Sequence, residues 1–180
     1  MATRRKILDA AIVEFSHYGI AGARVDRIAA TAGASKGMIY TYFASKQGLF
    51  DAVFDAIVVQ TMDDVPMDVA DLPGYAAGLF DQHRKHPEVI RIGGWDELER
   101  DGAGRRLDAV VAANRSKVDK IARAQSGGHL SGRFSASSLL ELILPMTRFG
   151  MTIAGTYDDE TLAEERRETI REAVRTLIDQ

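Results

Sequence analysis

Apolar residues recur at steps of three and four along nearly the whole chain, and the two-residue alternation of a half-buried strand appears nowhere. That period confines the fold to the all-α class. Glycines, prolines and capping side chains then divide it into about nine helices. Ile7, Leu8, Ala11, Phe15 and Tyr18 form the stripe of a first helix ended by Gly19. Val25, Ile28, Ala29 and Ala32 mark a short second helix, after which Gly33 supplies the permissive backbone of a tight turn. Ser35 has the side chain to cap a third helix with Ile39, Tyr42 and Phe43 on its inner face. Ser45 caps a fourth that carries Leu49, Phe50, Val53, Phe54 and Ile57. This helix fades into the acidic, Pro-containing stretch from Asp63 to Asp71, which places a domain boundary near residue 57 and divides the chain into 1–57 and 58–180.

Beyond the boundary, Asp71 and Pro73 open a fifth helix reaching about His86, and Pro87 breaks it and begins a sixth that ends near Gly102. Gly93 and Gly94 fall inside that sixth pattern and predict a kink or a close backbone approach. A seventh helix spans about Arg105 to Gln125, and the stretch from Ser126 to Phe134 reads as a loop. Two long helices complete the chain, from Ser135 to Thr156 and from Asp158 to Ile178. The last opens with Asp158, Asp159 and Glu160, where the helix dipole favours negative charge.

With 180 residues and 46% hydrophobic content, the chain can bury one sizeable core or two small ones. The absence of cysteine excludes disulfides, thiolate zinc sites and thiol nucleophiles. The basic start, Met1 to Lys6, is followed by an apolar stretch interrupted by Asp9 and Glu14, which is unlike a secretory leader. No apolar run reaches the roughly eighteen residues of a membrane span. A cytoplasmic location without a membrane partner is therefore expected. His83 and His86 stand three apart, but no third ligand is evident and Pro87 interrupts their helix; His17 and His129 are isolated. Gly127 and Gly128 lack the strand and lysine of a phosphate-cradling loop. The chain is not read as an enzyme: no catalytic residue, metal or cofactor is expected.

Charge is unevenly spread. Residues 1–50 carry seven basic groups against three acidic ones, a net of +4, which leaves −7 for the remainder of a chain whose total is −3. A basic N-terminal third on an acidic body is the asymmetry expected when one part approaches a polyanion, although ordinary surface scatter produces it too. Two short helices around a Gly turn, the second beginning Ser35, Lys36, Gly37, Met38, Ile39, Tyr40, Thr41, Tyr42, have the layout of a DNA-reading pair. A helix N-terminus with its free amides favours phosphate, and Lys36 and Lys46 add point charges. Tyr40, Thr41 and Tyr42 offer hydroxyls and rings to phosphates or base edges. Tyr42 shares the face of Ile39 and fits a core aromatic equally well.

The run Ile7, Ala10, Ala11, Phe15, Gly19, Val25, Ile28, Ala29, Ala32, Gly33, Ser35, Gly37, Ile39, Tyr40, Tyr42, Phe43, Lys46, Leu49 resembles the tetracycline-repressor (TetR) family of bacterial regulators. The resemblance is concentrated in residues 1–57, and the stretch from Leu72 to Arg100 is similar to one subgroup of the family's C-terminal domains. It implies a homodimer of nine-helix subunits, each with an N-terminal three-helix DNA-binding domain and a C-terminal ligand-binding and dimerisation domain. It also implies that Lys36 to Tyr42 face the major groove of a palindromic double-stranded operator, that Lys46 holds backbone phosphate, and that the last two helices form the dimer interface. Repression relieved by a small-molecule effector is the family's usual mode. The sequence departs from the family at Ala23 and Arg24, where a hydroxyl usually caps the second helix. Arg24 then either contacts phosphate itself or is a solvated surface charge, and any arm contact rests on Arg4 and Arg5.

The dimer has support of its own. The last helix has an apolar stripe of Leu162, Ile170, Ala173, Val174, Leu177 and Ile178, and the one before it is apolar nearly all round from Leu139 to Met146. Tyr75, Leu79, Phe80, His83, Trp95, Leu98, Met146 and Phe149 are the large side chains that would line a ligand pocket, or else pack an ordinary core. The competing reading is a helical small-molecule-binding or interaction protein that has lost DNA binding.

Overall fold

The computed structural model describes residues 2–151 and 159–179, which form nine α-helices and no strand. They are α1 (Ala2–Gly22), α2 (Val25–Ala32), α3 (Lys36–Phe43), α4 (Lys46–Asp64), α5 (Leu72–Lys85), α6 (Pro87–Arg100), α7 (Asp108–Ser126), α8 (Ala136–Met146) and α9 (Glu160–Ile178). Single 3-10 turns precede α5 and α7, at Val69–Asp71 and Ala103–Arg106. Among the described residues no helix is long and apolar enough to cross a membrane.

The helices start where side chains can cap them. Ser35 accepts from the Met38 N–H, Asp71 from Gly74, Ser135 from Ser138, and Asp159 from both Thr161 and Leu162. α1 continues past Gly19 to Gly22, but Gly19 itself is non-helical, with φ 67° and ψ −174°, so the expected helix end survives as a kink. α7 begins three residues later than its apolar pattern predicts. The buried Asp96 carboxylate takes the Gly104 N–H at 2.8 Å and 3.1 Å, fixing residues 103–106 as a turn outside the helix.

α8 stops at Met146 rather than at Thr156. Pro145 sits in the last turn and removes one backbone donor there, and the residues that follow tighten into three-residue bonds, Arg148 N–H to the Pro145 carbonyl at 3.1 Å and Phe149 N–H to the Met146 carbonyl at 2.9 Å. The stretch 152–158, where the sequence placed the end of the eighth helix and Asp158 of the ninth, lies outside the described residues. α6 passes through Gly93 and Gly94 without interruption, so the expected kink is absent. A Cβ at Gly93 would meet nothing within 4 Å, and no close approach requires the glycine there.

The chain forms two compact units that are not consecutive stretches. One joins residues 1–59 to 88–110, and the other joins 60–87 to 111–180. In the first, Ile7, Phe15, Ile28, Ile39, Leu49, Phe50 and Ile92 are fully buried, and Phe15 meets Phe50 edge to face at 5.1 Å. Ile92 draws α6 into this core, which a division at residue 57 does not anticipate. The second unit is built on Leu72, Tyr75, Leu79, Phe80, Ile121, Leu139, Ile143, Ile170 and Val174. There α5 lies along α9, tied by Arg84 to Glu160 at 2.7 Å and by Arg167 to Asp81 at 2.9 Å.

Gly93→Ala removes backbone entropy from a regular helix without a clash, so it should stabilise the protein by about 0.5–1 kcal/mol. A urea melt should show a higher midpoint with an unchanged slope.

Candidate nucleic-acid interface

The short helices α2 and α3 are positioned by the turn between them. Gly33 adopts the left-handed conformation at φ 61° and ψ 36°, and the Ala34 N–H returns to the Ala29 carbonyl at 3.0 Å. This is a Schellman closure, which ends α2 and turns the chain sharply into Ser35. α3 buries only Ile39 and Phe43, one helical turn apart. Its remaining side chains face outward: Met38, Tyr40 and Tyr42 are 38%, 41% and 47% exposed, and Lys36 and Thr41 are exposed as well. Tyr42 is therefore not the core aromatic that its spacing allowed. Gly37 leaves the backbone bare on this side, since a Cβ there would touch only the Ser35 hydroxyl at 3.9 Å.

The corner after α3 is a γ-turn centred on Ala44, at φ 61° and ψ −40°, with the Ser45 N–H on the Phe43 carbonyl at 2.7 Å. It delivers Ser45 to cap α4 through the Gly48 N–H at 2.9 Å and swings Lys46 back toward α1. The Lys46 ammonium donates to the Ala21 and Ala23 carbonyls, each at 3.2 Å. These two bonds satisfy carbonyls left open where α1 ends, so any phosphate contact by Lys46 rests on its third N–H.

The start of α2 has no side-chain cap from Arg24. A residue that sequence reasoning passed over takes the place. Glu14 on α1 is buried, and its carboxylate accepts the Arg24 backbone N–H at 2.7 Å. The same carboxylate pairs with Arg27, whose Nη2 lies at 2.6 Å and whose Nε donates at 2.8 Å and 3.0 Å to the two oxygens. Arg27 also reaches the Gly22 carbonyl at 3.2 Å and stacks over the Tyr18 ring at 4.2 Å. Burial alone would raise the Glu14 pKa, but the Arg27 hydrogen bond, the Arg24 N–H and the two positive charges outweigh it, and the carboxyl is held below its ordinary 4.5. Glu14 was visible in the sequence as an acid on the apolar stripe of α1, between Ala11 and Tyr18.

The Arg24 guanidinium is exposed and makes no ion pair among the described residues. Lys36 is paired with Asp26 at 3.0 Å, which raises its pKa. Arg5 bonds Asp9 along α1 at 2.9 Å, and Arg4 lies over the Phe43 ring at 5.3 Å. At the far end of α1, the Gly19 kink is held by α6. The Trp95 indole donates to the Ser16 carbonyl at 3.2 Å and Glu99 takes the Ala21 N–H at 2.7 Å. A Cβ at Gly19 would run into both side chains.

The eight candidate pocket residues do not form one group. Trp95 and Leu98 belong to the first compact unit, where Trp95 is engaged with α1 and Leu98 is 67% exposed. In the second unit, Tyr75, Leu79 and Phe80 are core residues, Met146 packs against them, and Phe149 is 51% exposed. Burial pushes the Tyr75 phenol up to about 12. His83 lies 3.2 Å from the Thr147 carbonyl, which can only accept, so Nδ1 carries the proton; burial lowers its pKa. A small cleft in this unit is lined by Phe80, Arg84, Phe149, Gly150, Met151, Ala163 and Arg166, and of the eight candidates it contains only Phe80 and Phe149. Among the described residues no three His or acidic side chains form a metal cluster.

The chain has recognisable relatives. Residues 7–53 match the family model described as bacterial regulatory proteins of the tetR family, and residues 71–176 match the tetracyclin repressor-like C-terminal domain. The chain is similar to the HTH-type transcriptional repressor SCO4008 of Streptomyces coelicolor, with 33% identity covering 99% of this chain and 96% of the relative. It is also similar to the HTH-type transcriptional repressor NicS of Pseudomonas putida, with 30% identity over 73% of this chain and 66% of that one. Among solved structures, the putative transcriptional regulator SCO4942 of Streptomyces coelicolor superposes with a TM-score of 0.80 at 32% identity, over 98% of each chain.

Glu14→Gln should cost about 1–2 kcal/mol, because it weakens a charge-assisted contact at a helix start while leaving Arg27 partly solvated. Since the folded-state carboxyl titrates below its ordinary 4.5, its contribution is full above that value and is lost as pH falls through the folded-state value. Thermal melts of the parent should therefore drop more steeply than those of Glu14→Gln as the buffer is taken below pH 4.5.

Proposed function

The chain belongs to the TetR family of bacterial regulators, and from that premise we propose that α3 reads duplex DNA for a one-component transcriptional repressor acting as a homodimer. The observation that carries the reading is the outward face of α3. Lys36, Met38, Tyr40, Thr41 and Tyr42 are all exposed around Gly37, a position the chain itself does not crowd. A helix with two inward and five outward side chains is poorly used as core and well suited to a groove.

In this reading Ser35, Lys36, Gly37, Met38, Tyr40, Thr41 and Tyr42 meet the groove, and Arg24 meets phosphate in place of the missing hydroxyl. Lys46 has one N–H beyond its two carbonyl bonds to offer. Residues 1–57 carry DNA binding, and 58–180 carry dimerisation through α8 and α9 and the response to a small-molecule effector. Leu142 is a large apolar side chain exposed on α8, as a helix buried on one side within its subunit and on the other by a partner requires. The protein acts in the cytoplasm and is not an enzyme. Repression is supported by the names of the relatives SCO4008 and NicS. The reading in which DNA binding is lost took its motive from the bare start of α2, where Glu14 now supplies a partner.

Selection from a random duplex pool should recover an inverted repeat with half-sites about one helical turn or somewhat more apart, bound by a two-chain particle in sedimentation equilibrium. Tyr42→Ala should weaken binding to that repeat about tenfold with little loss of stability. Arg24→Ala should weaken binding uniformly across sequences and reduce the salt slope by about one. A pool that yields no enrichment at low salt would favour the helical ligand-binding or interaction protein instead.

A further inference from the structure

The cation that opens α3 is already occupied. Lys36 Nζ lies 3.0 Å from Asp26 Oδ1, and Asp26 sits in the first turn of α2, where the helix dipole favours its negative charge. Both side chains are half-exposed, at 50% for Lys36 and 59% for Asp26. The pair therefore stands in water, where it is weak and can be exchanged for another anion. We propose that Asp26 is a specificity-determining residue, an internal competitor that holds Lys36 unless a DNA phosphate is placed well enough to displace it.

This role for Asp26 rests on α3 being the DNA-reading element. Non-specific affinity comes almost wholly from cations that neutralise phosphates and release counterions. Every duplex presents phosphates, so a free Lys36 would strengthen binding to all of them alike. A Lys36 that must leave Asp26 gains less from a loosely seated phosphate, and it engages fully only in the register fixed by the base contacts of α3. Asp26 also adds a negative charge at the edge of the reading surface, which opposes unspecific approach. The other cations of α2 and its start do not duplicate this device. Arg27 is committed to the buried Glu14, and the Arg24 guanidinium is unpaired among the described residues.

The test uses fluorescence anisotropy of the full chain with two probes, a random-sequence duplex and the inverted repeat recovered by selection, over a fourfold range of salt. Asp26→Asn should bind the random duplex more tightly and with a salt slope steeper by about one, so that its advantage at the low-salt end exceeds that at the high-salt end roughly threefold. Affinity for the selected repeat should change less, and the ratio of the two affinities should fall. Asp26→Ser should behave the same way, with circular dichroism confirming both folds. In a Lys36→Ala background, Asp26→Asn should lose most of its effect. Equal tightening with and without Lys36 would show mere removal of a repulsive charge and overturn the proposal, as would an unchanged salt slope. If the parent protein bound neither duplex, the reading of α3 itself would fall; a parent that binds with an inert Asp26→Asn overturns the competitor alone.

Discussion

The geometry of the reading head depends on one buried carboxylate. Glu14 lies on the inner face of α1, yet its oxygens reach the first N–H ahead of α2 and the guanidinium of Arg27 in α2's first turn. A hydroxyl at position 24 would fix only the start of α2. Glu14 fixes that start and also locks the helix's rotation against α1, because Arg27 must face back toward it. Rotation of α2 decides where Gly33 turns the chain, and Gly33 decides where α3 begins. The outward face of α3 is thus set two helices upstream, by a residue that is itself buried.

Much of the head's positive charge is consumed internally. Arg27 is committed to Glu14, Lys46 to the carbonyls of Ala21 and Ala23, Arg5 to Asp9 and Lys36 to Asp26. The net charge of the first fifty residues, +4, is the kind that favours a polyanion. It overstates how many cations are free to hold a phosphate on arrival. The commitments differ in strength with burial: the Glu14 pair is sheltered and structural, whereas the Asp26 pair is open to water and exchangeable.

Local signals in the sequence carried the N-terminal half well. The Gly33 turn, the Ser35 and Ser45 caps and the inward pair Ile39 and Phe43 are all decided within a few residues, so spacing and side-chain chemistry reveal them. The kink at Gly19 was legible as a helix end, though not its cause, since Trp95 and Glu99 lie some eighty residues away. Glu14 could have been found by treating an acid on an apolar stripe as a buried charge in want of a partner, but its partner's identity depends on how two helices cross. Position 42 was ambiguous for a different reason: a helix of two turns has too few residues for its period to separate an inner face from a flank.

The C-terminal half was legible in its elements and not in their grouping. Periodicity reports which face of a helix is buried and is silent on what buries it. α6 shows why. Its Trp95 and Leu98 are candidates for the wall of a pocket shared with α5, but Trp95 is bonded to the Ser16 carbonyl of α1 and Leu98 stands in solvent, while Ile92 on the same helix joins the core around Phe15 and Phe50. Proline and glycine carried the same ambiguity. Gly93 falls in mid-pattern and predicts a kink or a close approach, and Pro145 interrupts the apolar pattern of the eighth helix. Proline removes a backbone donor whatever surrounds it, and α8 gives way to tighter turns just beyond Pro145; glycine only permits an irregularity, and α6 makes no use of the permission.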